Sequence, residues 1–475
     1  MLFRSMVGRI EEIKTLDEIM SRKEGQLVAV YGRRRIGKTY LIRNYFKDKF
    51  TFYHTGEANV GFRDQLLGFR DSLRDYRREC QLPKTWREAF HELRSLIEAR
   101  ADAKKVVFID EMPWMDTPRS KFLPALEHFW NSWGSSRRDL VMVVCGSASS
   151  WIIKNVLQNR GGLHNRITDQ IHLLPFTLRE CEELVHDAGL AMSRQEICSL
   201  YMVFGGVAYY WSFLRKGESV AQGIDRLLFA PNGKLRGEFD SMVASLFKKD
   251  IGYRKVFAAL ASKGIGMSRE ELLEKTELPD GRVFSQIIDS LEKCGFVRRY
   301  TAYGKKRRDA LYQLLDSFSL FHLRFIESES NPDPHDWTIG VSSKAKSAWE
   351  GLAFERVCLL HIREIKRALQ IGGVRTGVCS WRHIADERYG KGAQIDLLID
   401  RADNVIDICE IKYSTGKYTL SKRDCENIDN KMDAFRAVSG TAKSLHLAII
   451  TANGLAENAY SRKAQNVLVL DDLFA

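Results

Sequence analysis

"YGRRRIGKTYLI", Tyr31 to Ile42, contains Gly32-Arg33-Arg34-Arg35-Ile36-Gly37-Lys38-Thr39, which satisfies G-x-x-x-x-G-K-[ST] without a mismatch. A short apolar run, Leu27 to Val30, precedes it and a helix-like run, Tyr40 to Phe46, follows. This strand, loop and helix order is what a phosphate cradle needs. Glycines let backbone N–H groups turn inward, and the helix N-terminus adds partial positive charge. Lys38 is expected to reach the β- and γ-phosphates of ATP, and Thr39 to ligate Mg²⁺, with Gly32 to Tyr40 forming the nucleotide contact. The bland alternative is a solvated basic turn, which would not require the flanking apolar run.

Working outward, "VVFIDEMPWM" supplies a second landmark. Val106 to Ile109 is a continuous apolar run of the kind that a parallel strand buried on both faces requires, and it ends in Asp110-Glu111. Asp110 is expected in the Mg²⁺ shell and Glu111 beside the attacking water. A further run, "LVMVVCGSASSW", ends in Gly146-Ser147, where the hydroxyl is placed either to sense the γ-phosphate or to cap a helix. "GGLHNRITDQIHLLPF" offers Arg166, with Arg160 just before it, as a cation for developing phosphate charge or as a plain surface arginine.

These landmarks together resemble the archaeal-type branch of the AAA+ ATPases. The resemblance runs from Met6 to about Leu214 and includes "VGRIEEI", "LLPFTLRECEEL" and "FGGVAYYW". It implies that Gly8 and Arg9 lie near the adenine, that Ser147 is a sensor, and that a helical lid follows the "PF" turn over Thr177 to Phe247. Relatives usually have a proline before the aromatic pair that follows Gly205-Gly206. Ala208 stands there instead.

From Ile251 the pattern changes to three short helices and a hairpin. Ser268 with Glu271 forms a capping-box signal, and "DGRVFSQIIDSLEKCG" places Val283, Ile287, Ile288 and Leu291 at helical spacing before Gly295. Two strands then flank Gly304-Lys305-Lys306-Arg307-Arg308. This is a winged-helix layout, in which Lys305, Lys306, Arg307 and Arg308 would touch DNA phosphate. The same layout also serves as a protein-contact module, and the third helix carries only Arg282 and Lys293 as cations. "ESESNPDPHDWTIG" reads as a linker.

Near the C-terminus, "GAQIDLLIDRADNVIDICEIKYS" reads as two strands around the turn Arg401 to Asn404. Alternation puts Glu410 and Lys412 on one face of the second strand, with Asp396 near the start of the first. Two carboxylates beside an ammonium suit phosphodiester hydrolysis with a divalent cation, and Glu355 in the preceding helix adds a third. The structural alternative is an edge hairpin whose acids are merely solvated. The segment from about Ser343 to Ala475 resembles the PD-(D/E)XK nuclease superfamily. That resemblance implies Glu355, Asp396 and Glu410 as metal ligands and Lys412 as the catalytic lysine. Gln394 stands near where many relatives have another acid.

Composition limits the rest. The 475 residues carry a formal net charge of +12, which favours a polyanionic partner, and nine cysteines without a C-x-x-C pair indicate neither a zinc ribbon nor a disulfide framework. No segment has the uninterrupted apolar length of a membrane span, and the N-terminus lacks a signal-peptide core, so the expected location is the cytoplasm. The expected fold is α/β: a P-loop parallel-sheet ATPase core (1–176), a helical lid (177–248), a winged helix (249–326), a linker (327–342) and a restriction-endonuclease-like α/β domain (343–475). The expected activity is ATP hydrolysis coupled to DNA binding and metal-dependent cleavage. The rival is a nucleotide-dependent switch that binds DNA or protein through a non-catalytic C-terminal domain. The expected partners are ATP, Mg²⁺ (Mn²⁺ as an alternative at the C-terminal site), double-stranded DNA, and further copies of the chain, with no membrane.

Overall fold

The computed structural model describes residues 6–76, 78–147, 149–158, 163, 165–246, 250–327 and 333–475, with all their side chains except those of residues 149, 250, 251 and 307. Two compact units divide the chain. One ends at Pro175 and takes in Lys293–Gly295, and the other comprises Phe176–Glu292 and Phe296–Ala475.

The first unit is built on five parallel strands, β1 (Gln26–Tyr31), β2 (Phe52–Thr55), β3 (Lys105–Asp110), β4 (Leu140–Gly146) and β5 (Asp169–His172), in the order β2-β3-β4-β1-β5. Every residue of β1, β3 and β4 is buried, because helices cover both faces and leave no polar side to alternate with. Phe52, Phe69, Trp86, Phe90 and Trp130 pack on one face, and Leu16, Ile19, Leu41, Ile42 and Phe108 on the other.

His54 of β2 is enclosed in the first of these layers. Its Nδ1 lies 2.9 Å from Ser72 Oγ, its Nε2 has no hydrogen-bond partner among the described residues, and burial pushes its pKa down to about 4. The unfolded chain therefore binds a proton below pH 6.5 that the folded chain refuses until about pH 4. Stability is expected to fall as pH drops through that window, by at most about 3 kcal/mol, and to be unaffected by His54 above it. Urea unfolding at pH 7 and at pH 5 should show this loss in the wild type. A slope that persists unchanged in His54→Asn would assign it to other groups.

The second unit opens with helices Leu178–Asp187, Arg194–Phe204, Ala208–Trp211, Val220–Ile224 and Glu238–Leu246. Thr177 and Ser193 each close a capping box with the glutamate three residues on. Ala208 occupies the first position of its helix, where a proline fits equally well because the first N–H has no intrahelical acceptor. Helices Asp250–Ala261, Arg269–Thr276 and Arg282–Lys293 follow, with the capping box at Ser268 in place, and then the antiparallel hairpin β6 (Val297–Tyr300) and β7 (Leu311–Leu314). One expected core position is corrected. Val283 is 68% exposed and Phe284 is buried in its place, since Phe284, Ile287, Ile288 and Leu291 share the stripe that faces inward.

The expected linker also differs. Of that segment, residues 327 and 333–342 are described, and although most of them are exposed one residue anchors the stretch. Trp337 is buried against Phe321 and Phe325, and its backbone N–H donates to the buried Asp225 carboxylate at 2.8 Å. The segment looked polar by composition, yet one tryptophan and one buried acid outweigh its prolines.

A second sheet completes this unit: β8 (Thr376–His383), β9 (Ala393–Arg401), β10 (Val405–Lys412), β11 (Ser444–Thr451) and β12 (Asn466–Leu468), in the order β12-β11-β10-β9-β8. Strands β8, β9 and β10 form an antiparallel meander, with Asn404 at φ 63° in the β9–β10 turn. The helix Lys422–Ser439 crosses over to β11, which runs parallel to β10 and to β12. The helix Ser343–Leu360 precedes the sheet and packs on β10.

Candidate functional site

The carboxyl ends of β1, β3 and β4 place the first site. Tyr31 pairs with Gly146, and Ile109 with Val144, so the loop after β1, the Asp110-Glu111 pair and Ser147 leave the sheet at one edge. Gly32 has φ +153° and Gly37 +95°, both unfavourable for a side chain bearing Cβ. A Cβ on Gly32 would also lie 2.6 Å from Ile36 Cδ1 and still nearer the Leu173 carbonyl oxygen. Arg35 adopts φ 68°, which completes a loop that turns its backbone inward, and Lys38 begins the helix Lys38–Tyr45.

Lys38 is buried, and its ammonium donates to the carbonyl oxygens of Gly32 (3.0 Å) and Arg33 (2.8 Å), inside the loop itself. Thr39 Oγ1 donates to Asp110 Oδ2 at 2.6 Å, so the two groups expected to share a cation already face each other. Asp110 is 2% exposed and its other oxygen accepts from the Glu111 N–H at 2.9 Å. Glu111 has φ 47°, which turns its side chain toward β4, and there its carboxylate accepts from Ser147 Oγ (2.9 Å) and Ser147 N (3.2 Å). Gly8 has φ 62°, and the Arg9 guanidinium donates to the Ile36 carbonyl at 3.2 Å, tying the opening box to the loop. Tyr40 is partly exposed on the same helix, and Arg166 is exposed beyond the site. Arg160 lies outside the described residues.

Residues 6–212 match the family of ATPase domains found predominantly in Archaea. The chain carries an archaeal-type ATPase domain. Over 438 residues, 89% of this chain and 90% of the relative, it is 21% identical to an uncharacterized protein of Methanocaldococcus jannaschii. An uncharacterized ATP-binding protein of the same organism is 40% identical over 43 residues, which are 9% of this chain and 73% of that protein. Among solved structures, a Walker-type ATPase of Pyrococcus abyssi is similar over 67% of this chain and 96% of its own, at 16% identity and a TM-score of 0.48. The ORC2 protein of Aeropyrum pernix, in its ADPNP and ADP complexes, is similar over 68% of this chain and 93% of its own, at 15% identity and a TM-score of 0.42. The ATPase domain thus accounts for nucleotide binding and hydrolysis. No helix among the described residues is long and apolar enough to cross a membrane.

The second unit brings together the other expected group. Cys409 pairs with Leu397, so Asp396 and Glu410 are the next residues along two adjacent strands, and Lys412 follows two residues later on the same face. Glu355 reaches the group from the helix Ser343–Leu360. Burial first, and then repulsion from Asp396, pushes its pKa up to about 7. Gln394 donates a hydrogen bond to Asp396. Glu410 is nearly buried and grips two ammonium groups, Lys412 at 3.0 Å and Lys431 at 2.7 Å. Burial would raise its pKa, but the two lysines outweigh that and hold it below the usual carboxylate range. Among the described residues no group of three or more His, Cys, Asp or Glu side chains is arranged to hold a metal ion. The trio expected as a metal shell is close in space without forming one.

Two features of this site were missed in the sequence. Lys431 is one. The other is Arg356, next to Glu355, which is 2% exposed and donates from Nε to the Leu314 carbonyl at 3.1 Å and from Nη2 to that of Gly264. The β6–β7 hairpin is therefore fastened to the helix that carries Glu355. Tyr303, in the same hairpin, donates its N–H to Ser380 of β8 at 2.8 Å and packs edge-on against Phe435. Lys305 and Lys306 remain exposed, and Arg308 is 80% exposed, whereas the side chain of Arg307 lies outside the described residues.

Proposed function

We propose that the ATPase couples its nucleotide state to DNA binding and to metal-dependent phosphodiester cleavage at the C-terminal sheet. The observation that carries this reading is the convergence of Asp396, Glu410, Lys412 and Glu355 from three separate elements onto one place. Chance solvation of an edge hairpin would leave those carboxylates apart and would not raise Glu355 toward neutrality.

At the nucleotide site, Lys38 would hold the β- and γ-phosphates, Thr39 and Asp110 would hold Mg²⁺, Glu111 would orient water, and Ser147 aligns Glu111. Arg166 contributes phosphate-charge stabilisation in an assembly of several copies. The facing oxygens of Thr39 and Asp110 fit Mg²⁺. At the C-terminal site the three carboxylates are crowded enough to raise Glu355, and a divalent cation would relieve that crowding only once Glu410 gives up its lysines. Glu355, Asp396 and Glu410 would hold it, and a bound Mg²⁺ or Mn²⁺ supplies a polarised phosphate and an acidified water. Lys412 steadies the attacking oxygen. The exposed Lys305, Lys306 and Arg308 of the β6–β7 hairpin, with Arg307 beside them in sequence, hold duplex phosphates, and the buried Arg356 fastens that hairpin to the site.

A second reading has an observation of its own. The two ammonium groups on Glu410 and the lack of a metal-holding group among the described residues favour a binding switch without cleavage. Circular, linear and single-stranded DNA incubated with Mg²⁺ or Mn²⁺, with and without ATP, separates the two. Under the cleavage reading, Asp396→Ala lowers cleavage by about a hundredfold and leaves ATP turnover unchanged. DNA left intact by wild-type protein that still hydrolyses ATP would establish the switch instead.

A further inference from the structure

We propose that His361 is a coupling residue: it fastens the segment through which the chain enters the second unit to the helix that bears Glu355, so that nucleotide bound at the phosphate loop changes the local stability of that helix. The inference deepens the proposed link between nucleotide state and the C-terminal sheet, and it requires neither a metal ion nor cleavage at that sheet.

The entering segment starts at the phosphate loop. Leu173 donates its N–H to the Tyr31 carbonyl at 2.8 Å, and its own carbonyl oxygen lies so near Gly32 that a Cβ there would overlap it. The chain passes into the second unit at Phe176. There the Phe176 N–H donates to the Gly206 carbonyl, the Phe176 carbonyl accepts from the Tyr201 hydroxyl, and Leu178 donates its N–H to His361 Nε2 at 3.0 Å.

That last bond fixes the chemistry of the joint. Leu178 is the first residue of the helix Leu178–Asp187, so its N–H has no acceptor within the helix, and it is buried away from water. The acceptor comes from 183 positions along the chain. An N–H donor demands a bare Nε2, which puts the ring proton on Nδ1, and from there it is donated to the Val357 carbonyl at 2.8 Å. Burial favours this neutral form. The ring also meets Tyr201 edge-on at 5.4 Å, the same tyrosine that holds Phe176.

Placement distinguishes this histidine from one that merely satisfies a buried donor. His361 is 1% exposed and closes the helix Ser343–Leu360, on which Glu355 and Arg356 stand. A hydroxyl could satisfy Leu178 as well, but only a group at a helix end ties it to a rigid element. Coupling is carried by packed contacts of this kind, and here they run from Gly32 through Leu173, Phe176, Leu178 and His361 to the helix of Glu355.

The test uses the full chain as wild type, His361→Phe, His361→Asn and His361→Gln. Phenylalanine keeps a ring against Tyr201 and loses the acceptor. Asparagine keeps a donor for Val357 but falls short of Leu178, so a second loss variant remains should the first not fold. Glutamine brings an amide oxygen near the position of Nε2. Hydrogen exchange of peptides from the helix Ser343–Leu360 is followed by mass spectrometry, with and without saturating Mg²⁺ and a non-hydrolysable ATP analogue whose binding is measured separately. In the wild type the analogue is expected to change the exchange rate by roughly fivefold, the lower end of coupling between sites. In His361→Phe and His361→Asn the analogue still saturates the site, but less than half of that change remains. His361→Gln restores it.

The readout is the ratio of exchange with and without nucleotide, because a merely structural histidine would speed exchange in both states alike. A wild-type ratio kept in both loss variants would overturn the inference alone, since nucleotide would then reach the helix by another route. A ratio of one in the wild type, with the analogue bound, would overturn the proposed coupling and the inference together.

Discussion

Glu111→Gln is expected to slow ATP turnover roughly a thousandfold while nucleotide binding stays within a few-fold of wild type. The substitution keeps the size of the side chain and still presents an oxygen to Ser147, which donates to it from both Oγ (2.9 Å) and N (3.2 Å). What it removes is the negative charge and basicity that, under the proposed function, orient and deprotonate water. The loop that binds phosphate is untouched, because Lys38 takes its acceptors from Gly32 and Arg33 and Thr39 takes its own from Asp110. Steady-state turnover beside equilibrium binding of a fluorescent ATP analogue reads both quantities. Turnover within about tenfold of wild type would mean that water is activated elsewhere, and Glu111 would then be only a positioning partner of Ser147.

That separation of binding from chemistry explains why the nucleotide site was legible in the sequence. Gly32 and Gly37 are required by the backbone of one loop, and Lys38 and Thr39 open the helix that follows it, so their spacing in the chain fixes their spacing in space. Asp110 and Ser147 were legible for a related reason: each ends a strand that must be apolar throughout because both of its faces are covered. The C-terminal group was half legible. Asp396, Glu410 and Lys412 belong to one hairpin, whose alternation places them, but Lys431 arrives from a crossover helix and meets Glu410 only through packing. Arg356 could not be foreseen at all, since its partners are the backbone carbonyls of Gly264 and Leu314, which carry no sequence signature. Val283 and Phe284 show the limit of periodicity. Neighbouring apolar residues on a helix differ by one position in register, and packing alone selects which of them faces inward.

The position of those missed contacts changes what the middle segment does. A winged helix on a free tether would sample DNA independently of the C-terminal sheet. Here Arg356 and Tyr303 tie the β6–β7 hairpin to the helix that bears Glu355 and to β8, and under the proposed function a shift of the hairpin would reach the carboxylate cluster through these bonds. DNA contact through Lys305, Lys306 and Arg308 and events at Glu355 would then be coupled mechanically. That coupling is the physical content of the proposed link between binding and cleavage.

Gly206→Ala is expected to destabilise the second unit by roughly 3–5 kcal/mol, and more than Gly205→Ala despite the adjacent positions. The Gly206 carbonyl accepts from the Phe176 N–H at 2.7 Å, and Tyr201 Oη donates to the Phe176 carbonyl at 2.8 Å, so the first residue of the unit is pinned by two buried hydrogen bonds. A Cβ on Gly206 would lie 2.5 Å from Phe176 N and closer still to Phe176 O. Both are backbone atoms, so relief requires the chain to move and at least one of those bonds to break. Gly205 presents the opposite case. It ends the helix Arg194–Phe204 at φ 58°, and a Cβ there would meet nothing nearer than Ser317 Cβ at 3.9 Å. Its alanine variant therefore bears only the cost of a backbone conformation that glycine alone adopts readily, φ 58° with ψ −163°, roughly 1–3 kcal/mol. Urea unfolding of the two variants beside wild type gives the order directly. If Gly205→Ala proved the more damaging, backbone conformation rather than the close approach of Phe176 would be what requires glycine in this motif.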